Sequence, residues 1–166
     1  MIRLAALMSS GIALPAALLA GCTTERQAMS APSPAAERLT IAVGPCYGTC
    51  PVYSVELGPD GEGLFRGEQH VAVSGTRTFT TDPAVQRALT ASLGPYRPIA
   101  GTTTQTRCEQ QVSDQSSYTL TWTTADGRKT VLTHDRGCRS AANARLNVIL
   151  DELPDRLRLA ALIGRR

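Results

Sequence analysis

Apolar and polar positions alternate through much of the chain. "LTIAV", residues 39–43, alternates weakly and is β-branched, which predicts a strand. "PVYSVEL", residues 51–57, alternates more clearly, with Tyr53, Val55 and Leu57 to one side and Ser54 and Glu56 to the other. "GPDGEG", residues 58–63, predicts a turn with its tight point at Asp60-Gly61. "LFRGEQHVAV", residues 64–73, reads as a returning strand with an irregularity at Gly67. Gly75 marks a turn or bulge, and "TRTFT", residues 76–80, a short further strand. The period then lengthens. Asp82 can cap a helix that Pro83 opens, with Val85, Ala88 and Leu89 at helical spacing, Leu93 one turn on, and Gly94 as the stop. Residues 95–116 read as a long, Thr-rich polar loop. "SYTLTWTT", residues 117–124, points Tyr118, Leu120 and Trp122 inward and Thr119, Thr121 and Thr123 outward. Asp126-Gly127 predicts a hairpin turn, and "KTVLTHD" returns. Ser140 is the expected cap of a second helix with Leu146, Ile149, Leu150 and Leu153 on one stripe. Pro154 then opens a new turn of helix, "PDRLRLAALIG". Together these predict an α+β fold: an antiparallel β-sheet with two main helices packed on one face, in the order β-β-β-β-α-β-β-α.

The ends of the chain add an address. Arg3 precedes an apolar run over residues 4–20, broken by Ser9, Ser10, Gly11 and Pro15 and ending at Leu19-Ala20-Gly21-Cys22. Small residues before a cut and a thiol after it are what lipoprotein processing requires, so residues 1–21 read as a lipoprotein signal peptide and Cys22 as the lipidated residue. The competing reading is an ordinary cleaved signal with Cys22 a bystander. Thr23 in place of Asp leans towards the outer membrane. Lipid chains contribute about 0.8 kcal/mol per buried CH₂, so a multiply acylated Cys22 is a stable membrane anchor. Residues 22–38 then form a small, polar, proline-containing tether whose r.m.s. span is roughly 20–25 Å. Residues 39–166 are expected to form one domain.

Charge is mild. Of 17 basic residues only Arg3 falls within the first 21, and 14 acidic residues oppose the rest. Such a balance, with an exported address, does not point to nucleic acid. The C-terminal segment carries Arg156, Arg158, Arg165 and Arg166 beside apolar residues. It reads as a last helix docked on the core, with contact to acidic headgroups as the sharper alternative.

Beyond Cys22, four cysteines remain: Cys46, Cys50, Cys108 and Cys138. An even number in an exported domain reads as two disulfides, for which three connectivities can be drawn. Local closure around Gly48 favours Cys46–Cys50, leaving Cys108–Cys138 around the predicted hairpin. In the chain-entropy model the second, closing about 31 residues, contributes about 3.5–4 kcal/mol, against about 2 for the first.

No other chemistry declares itself. A thiol oxidoreductase places two cysteines with two residues between them at a helix N-terminus; here three residues intervene and Pro51 leads into a strand. A haem anchor needs His where Pro51 stands. His70 could join Cys46 and Cys50 around a metal only through the fold, because the spacing does not signal it. His134 reads as a surface or half-buried strand residue, and its neighbour Asp135 points away from it. No phosphate loop, nucleophile elbow or paired metal carboxylates occur, so no cofactor, metal or catalytic residue is assigned.

Cys46-Tyr47-Gly48-Thr49-Cys50-Pro51-Val52-Tyr53, followed by a strand, Asp60-Gly61 and Phe65-Arg66-Gly67, resembles a family of bacterial lipoprotein domains of unknown function. The resemblance runs from about residue 39 to 94 and more loosely through the helix after Ser140, and leaves Cys108 and Cys138 outside. It implies an exported bacterial protein, often lipid-anchored, with no assigned reaction. It also treats Cys46 and Cys50 as a unit of their own. The expectation that follows is a non-enzymatic periplasmic lipoprotein domain, an interaction or envelope-accessory module. Its candidate interaction loop is Tyr47, Gly48, Thr49, Pro51 and Tyr53, its membrane contact the N-terminal lipid, and its partner an envelope protein. The rival is a thiol–disulfide or metal-binding protein using Cys46 and Cys50.

Overall fold

The computed structural model describes residues 37–164. Cys22, the expected signal peptide and nearly all of the expected tether lie outside the described residues, as do Arg165 and Arg166. The described chain is a mixed α+β fold built on one seven-stranded sheet. Its strands are β1 (Arg38–Val43), β2 (Val52–Leu57), β3 (Glu62–Gln69), β4 (Gly75–Thr80), β5 (Thr103–Gln105), β6 (Ser117–Thr123) and β7 (Lys129–Asp135). Across the sheet they run β4-β3-β2-β1-β6-β7-β5. The helices are α1 (Pro83–Leu93), α2 (Ala141–Asp151), α3 (Leu153–Arg156) and α4 (Ala160–Ile163).

The two-residue period sorts the faces. Leu39, Ile41 and Val43 of β1 are buried, and their register partners Leu57, Val55 and Tyr53 on β2 and Trp122, Leu120 and Tyr118 on β6 lie in the same layer. Leu89 and Leu93 of α1, Leu146, Ile149 and Leu150 of α2, and Leu153, Leu157, Leu159 and Ile163 beyond it belong to the same core cluster. At about 25 cal/mol per Å² of apolar area removed from water, this cluster is the main favourable contribution to folding. The opposite positions of the central strands, such as Thr40, Thr119 and Thr121, stay partly exposed.

Several expectations are corrected. The sheet is mixed rather than antiparallel: the loop expected over 95–116 contains β5, which pairs in parallel with β7 at the sheet edge. This adds a strand between α1 and β6, so the element order departs from the expected one. The third strand ends at Gln69 rather than at residue 73, because the chain turns at His70, whose φ is 53°. The irregularity is a bulge: Val52 faces Gln69, and Tyr53 already faces Gly67. A Cβ on Gly67 would stand 2.1 Å from the Val73 carbonyl oxygen, so only glycine lets the turn fold back this closely.

Helix α1 is capped as its sequence predicts, the Ala84 amide donating to Asp82 Oδ1 at 2.7 Å. Its buried stripe, however, is Gln86, Leu89 and Leu93, while Ala88 is exposed. Gly94 does not stop the chain in a left-handed conformation; a 3₁₀ turn, Gly94–Tyr96, follows. Ser140 makes no side-chain cap, because its Oγ accepts from Asn143 Nδ2 at 2.8 Å. The C-terminal segment is two short helices, with Arg158 at φ 56° between them. It is fastened by backbone bonds as well as by leucines: the Ala72 and Val73 amides donate to the Ile163 and Leu162 carbonyls, both at 3.0 Å.

Candidate functional site

At one end of β1 and β2 the chain leaves the sheet, makes the cysteine loop and returns. Cys46 and Cys50 are joined, with Cα atoms 5.7 Å apart. The loop is held at its base by the Gly44 amide on the Ser117 carbonyl (2.8 Å) and by the Tyr47 amide on the Asp114 carbonyl (3.3 Å). Gly48, at φ 137°, turns the tip in a conformation that a side chain would strain. Tyr47, Gly48 and Thr49 are exposed, and Pro51 is half-buried. Tyr47 is 88% exposed, more than any other large apolar residue among those described. Tyr53 is different: it is 3% exposed and its ring stacks on Phe65 with centroids 5.6 Å apart. It roots the loop in the core and offers no docking surface.

Beside the loop lies a cavity of about 490 Å³. The loop residues Cys46 to Pro51 form one side, and Val43, His70, Ser116, Tyr118, Arg136, Ile163 and Gly164 complete it. Three distant segments meet there because β2, β1 and β6 are neighbours in the sheet and because the turn after β3 is bonded to α4. Arg136 is locked behind the wall by Asp151 of α2, with Nε to Oδ1 at 2.6 Å and Nη2 to Oδ2 at 3.1 Å. The side-chain bond to Asp151 raises the Arg136 pKa above its ordinary value, against the opposing effect of burial. The Tyr118 hydroxyl reaches the same Asp151 carboxylate at 3.5 Å. Asp151 itself does not border the cavity, and among the described residues no other carboxylate does. Among the described lining residues the one formally charged side chain is therefore Arg136, ion-paired with Asp151.

The second disulfide has another setting. Cys108 and Cys138 are joined with Cα atoms 5.4 Å apart. Cys138 is buried, and Asn143 Nδ2 donates to its Sγ (3.1 Å) and to the Arg107 carbonyl (2.7 Å). Asn147 Nδ2 donates to the Cys138 carbonyl at 2.8 Å, which turns its Oδ1 to His134 Nε2 at 2.9 Å. His134 Nδ1 meets Thr106 Oγ1 at 2.9 Å. His134 is thus wholly buried and bonded at both nitrogens, which corrects its reading as a surface strand residue. Its alternation with Leu132 already placed it on the core face; its polarity argued otherwise, and its partners could not be seen from local sequence.

His70 and the cysteines of the loop do border one cavity, yet among the described residues no three His, Cys, Asp or Glu side chains are grouped to hold a metal ion. A second cavity, about 610 Å³, lies beside the β2–β3 turn and is lined by Arg38, Glu56, Asp60, Glu62, Thr78 and Phe79 among others. None of the site residues expected from the sequence borders it.

A small mixed α+β domain with a disulfide-closed loop beside a cavity is the class these features define. The chain belongs to the family described as a domain of unknown function, DUF6438, whose model matches residues 37–156. That span extends beyond the segment whose resemblance was legible and takes in Cys108 and Cys138. No curated protein matches the chain.

Proposed function

We propose that this chain is a lipid-anchored domain of the bacterial cell envelope, held at the periplasmic face of the outer membrane through Cys22, and that it docks an envelope protein on the Cys46–Cys50 loop. The anchor rests on Leu19-Ala20-Gly21-Cys22 and the polar segment that follows it. The observation that carries the docking reading is Tyr47, 88% exposed at the tip of a closed loop. Exposed aromatics on rigid supports are favoured binding anchors, because they contribute large area with little side-chain entropy to lose. Reading Cys46 and Cys50 as metal ligands has less support, since paired sulfurs offer no thiolate.

The test is a photo-crosslinking residue at position 49 in the full chain, expressed in its own envelope, with and without Tyr47→Ala. The expected result is one discrete adduct that Tyr47→Ala reduces at least tenfold, with an unchanged melting temperature. An adduct indifferent to Tyr47 sinks the docking reading. Cys22→Ala should move the protein from the membrane to the soluble fraction.

A further inference from the structure

We propose that the Cys46–Cys50 bond is the reactive element of a thiol–disulfide exchange site, reduced by a protein dithiol that reaches it through the adjoining cavity. Both cysteines are only partly buried, and both border open space rather than packed core. Arg136 and His70 border that same space, and among the described residues no carboxylate does. Reactive cysteines are found in electropositive, partly exposed surroundings, where a cation stabilises the thiolate over the thiol. The lock on Asp151 keeps the Arg136 guanidinium in place at the wall.

The second disulfide differs at Cys138, since Cys108 is as partly buried as the loop cysteines. Cys138 is buried, its sulfur and its carbonyl are both bonded to α2, and its bond closes a sequence separation of 30. Cys46–Cys50 spans a separation of 4, and the strand ladders on either side of it do not pass through the loop. The loop can open while the sheet stays intact.

The exchange balances as follows. A thiolate of the donor attacks one loop sulfur, the Cys46–Cys50 bond breaks, and a mixed disulfide forms as the other loop sulfur departs as a thiolate. The Arg136 guanidinium favours that thiolate, and His70, on the same lining, is the group assigned to hand it a proton. The donor's second thiol then attacks the mixed disulfide and releases the first loop sulfur. Two electrons pass to the loop, the donor leaves as a disulfide, and the two protons of the donor end on Cys46 and Cys50. This chemistry does not rest on the docking reading, because Tyr47→Ala leaves both sulfurs and Arg136 in place.

The full chain, equilibrated anaerobically at graded ratios of reduced to oxidised dithiothreitol, is quenched with iodoacetamide and mapped by peptide mass. Cys46 and Cys50 should become alkylated at a ratio at least tenfold lower than Cys108 and Cys138, with Trp122 fluorescence unchanged. After selective reduction, the pH profile of alkylation at Cys46 and Cys50 should move to higher pH in Arg136→Gln and return in Arg136→Lys. His70→Asn, which tolerates the left-handed backbone, should slow reduction at least threefold without affecting Cys108–Cys138. Reduction of both bonds at one ratio, loss of fluorescence together with reduction of the loop, or rates and profiles unmoved in all three variants overturns the proposal.

Discussion

His134 occupies the core-facing position opposite Tyr118, where an apolar residue would ordinarily stand. Its place depends on two partners distant in sequence, Thr106 from the segment after α1 and Asn147 from α2. His134→Ala removes both bonds and leaves a cavity, so it should cost about 3 kcal/mol in urea unfolding. A loss under 1 kcal/mol would mean that the network carries little. Residues with only local determinants were legible from sequence: Tyr53, Leu120 and Trp122 face the core because the strand period requires it. His134 and Gln86, both buried, were not, because their burial depends on what other elements bring to them. Tyr47 was legible as a loop residue, but its exposure at the loop tip was not.

At the scale of elements, local chemistry again explains what the sequence revealed. The turn between β6 and β7 closes through Asp126, whose carboxylate accepts from the Thr124 hydroxyl and from the Arg128 amide. These bonds, the Thr124 bond foremost, hold the Asp126 carboxyl below its ordinary 3.8. A depressed folded-state pKa means that the turn's contribution is present above the unfolded value and is lost as pH falls through the lowered one. Carbon-detected NMR should therefore place the Asp126 midpoint below 3.8 and return it upward in Thr124→Val. The covalent links differ in weight. Replacing Cys108 and Cys138 together by Ala should cost about 3.5–4 kcal/mol, and replacing Cys46 and Cys50 about 2, both measured by denaturant unfolding. Equal losses would contradict this ranking. The parallel strand β5 was hidden because three residues are too few to display a period. The C-terminal helix broke in two because Leu157, Leu159 and Ile163 all turn to the core, which one straight helix could not arrange.

The whole molecule must keep its sheet from growing. One edge strand, β5, is only three residues long, which limits what can pair with it. The other, β4, is six residues and largely exposed. There Arg77 stands in register with buried Phe65, a charge on the core-facing side of an open edge. Such inward charges oppose edge-to-edge pairing, since a second strand would have to bury the guanidinium. Arg77→Val should produce concentration-dependent self-association in sedimentation velocity, and a strictly monomeric variant would refute this role. The sheet order itself could not be read in advance. Neighbouring strands in sequence suggest hairpins, but the pairing of β1 with β6 joins the two halves of the chain, and no local pattern encodes it.

That pairing has a mechanical consequence. The chain enters the described fold at Glu37, whose carboxylate grips Arg97 through both nitrogens of its fork, with the guanidinium 5.6 Å from the Trp122 ring. It passes at once into β1, the strand bonded along both sides, to β2 and to β6. A pull on the preceding residues is therefore borne lengthwise by two ladders in parallel. They must shear together instead of unzipping one bond at a time. Glu37 leads into the middle of the sheet, the part of the fold best able to resist such a pull.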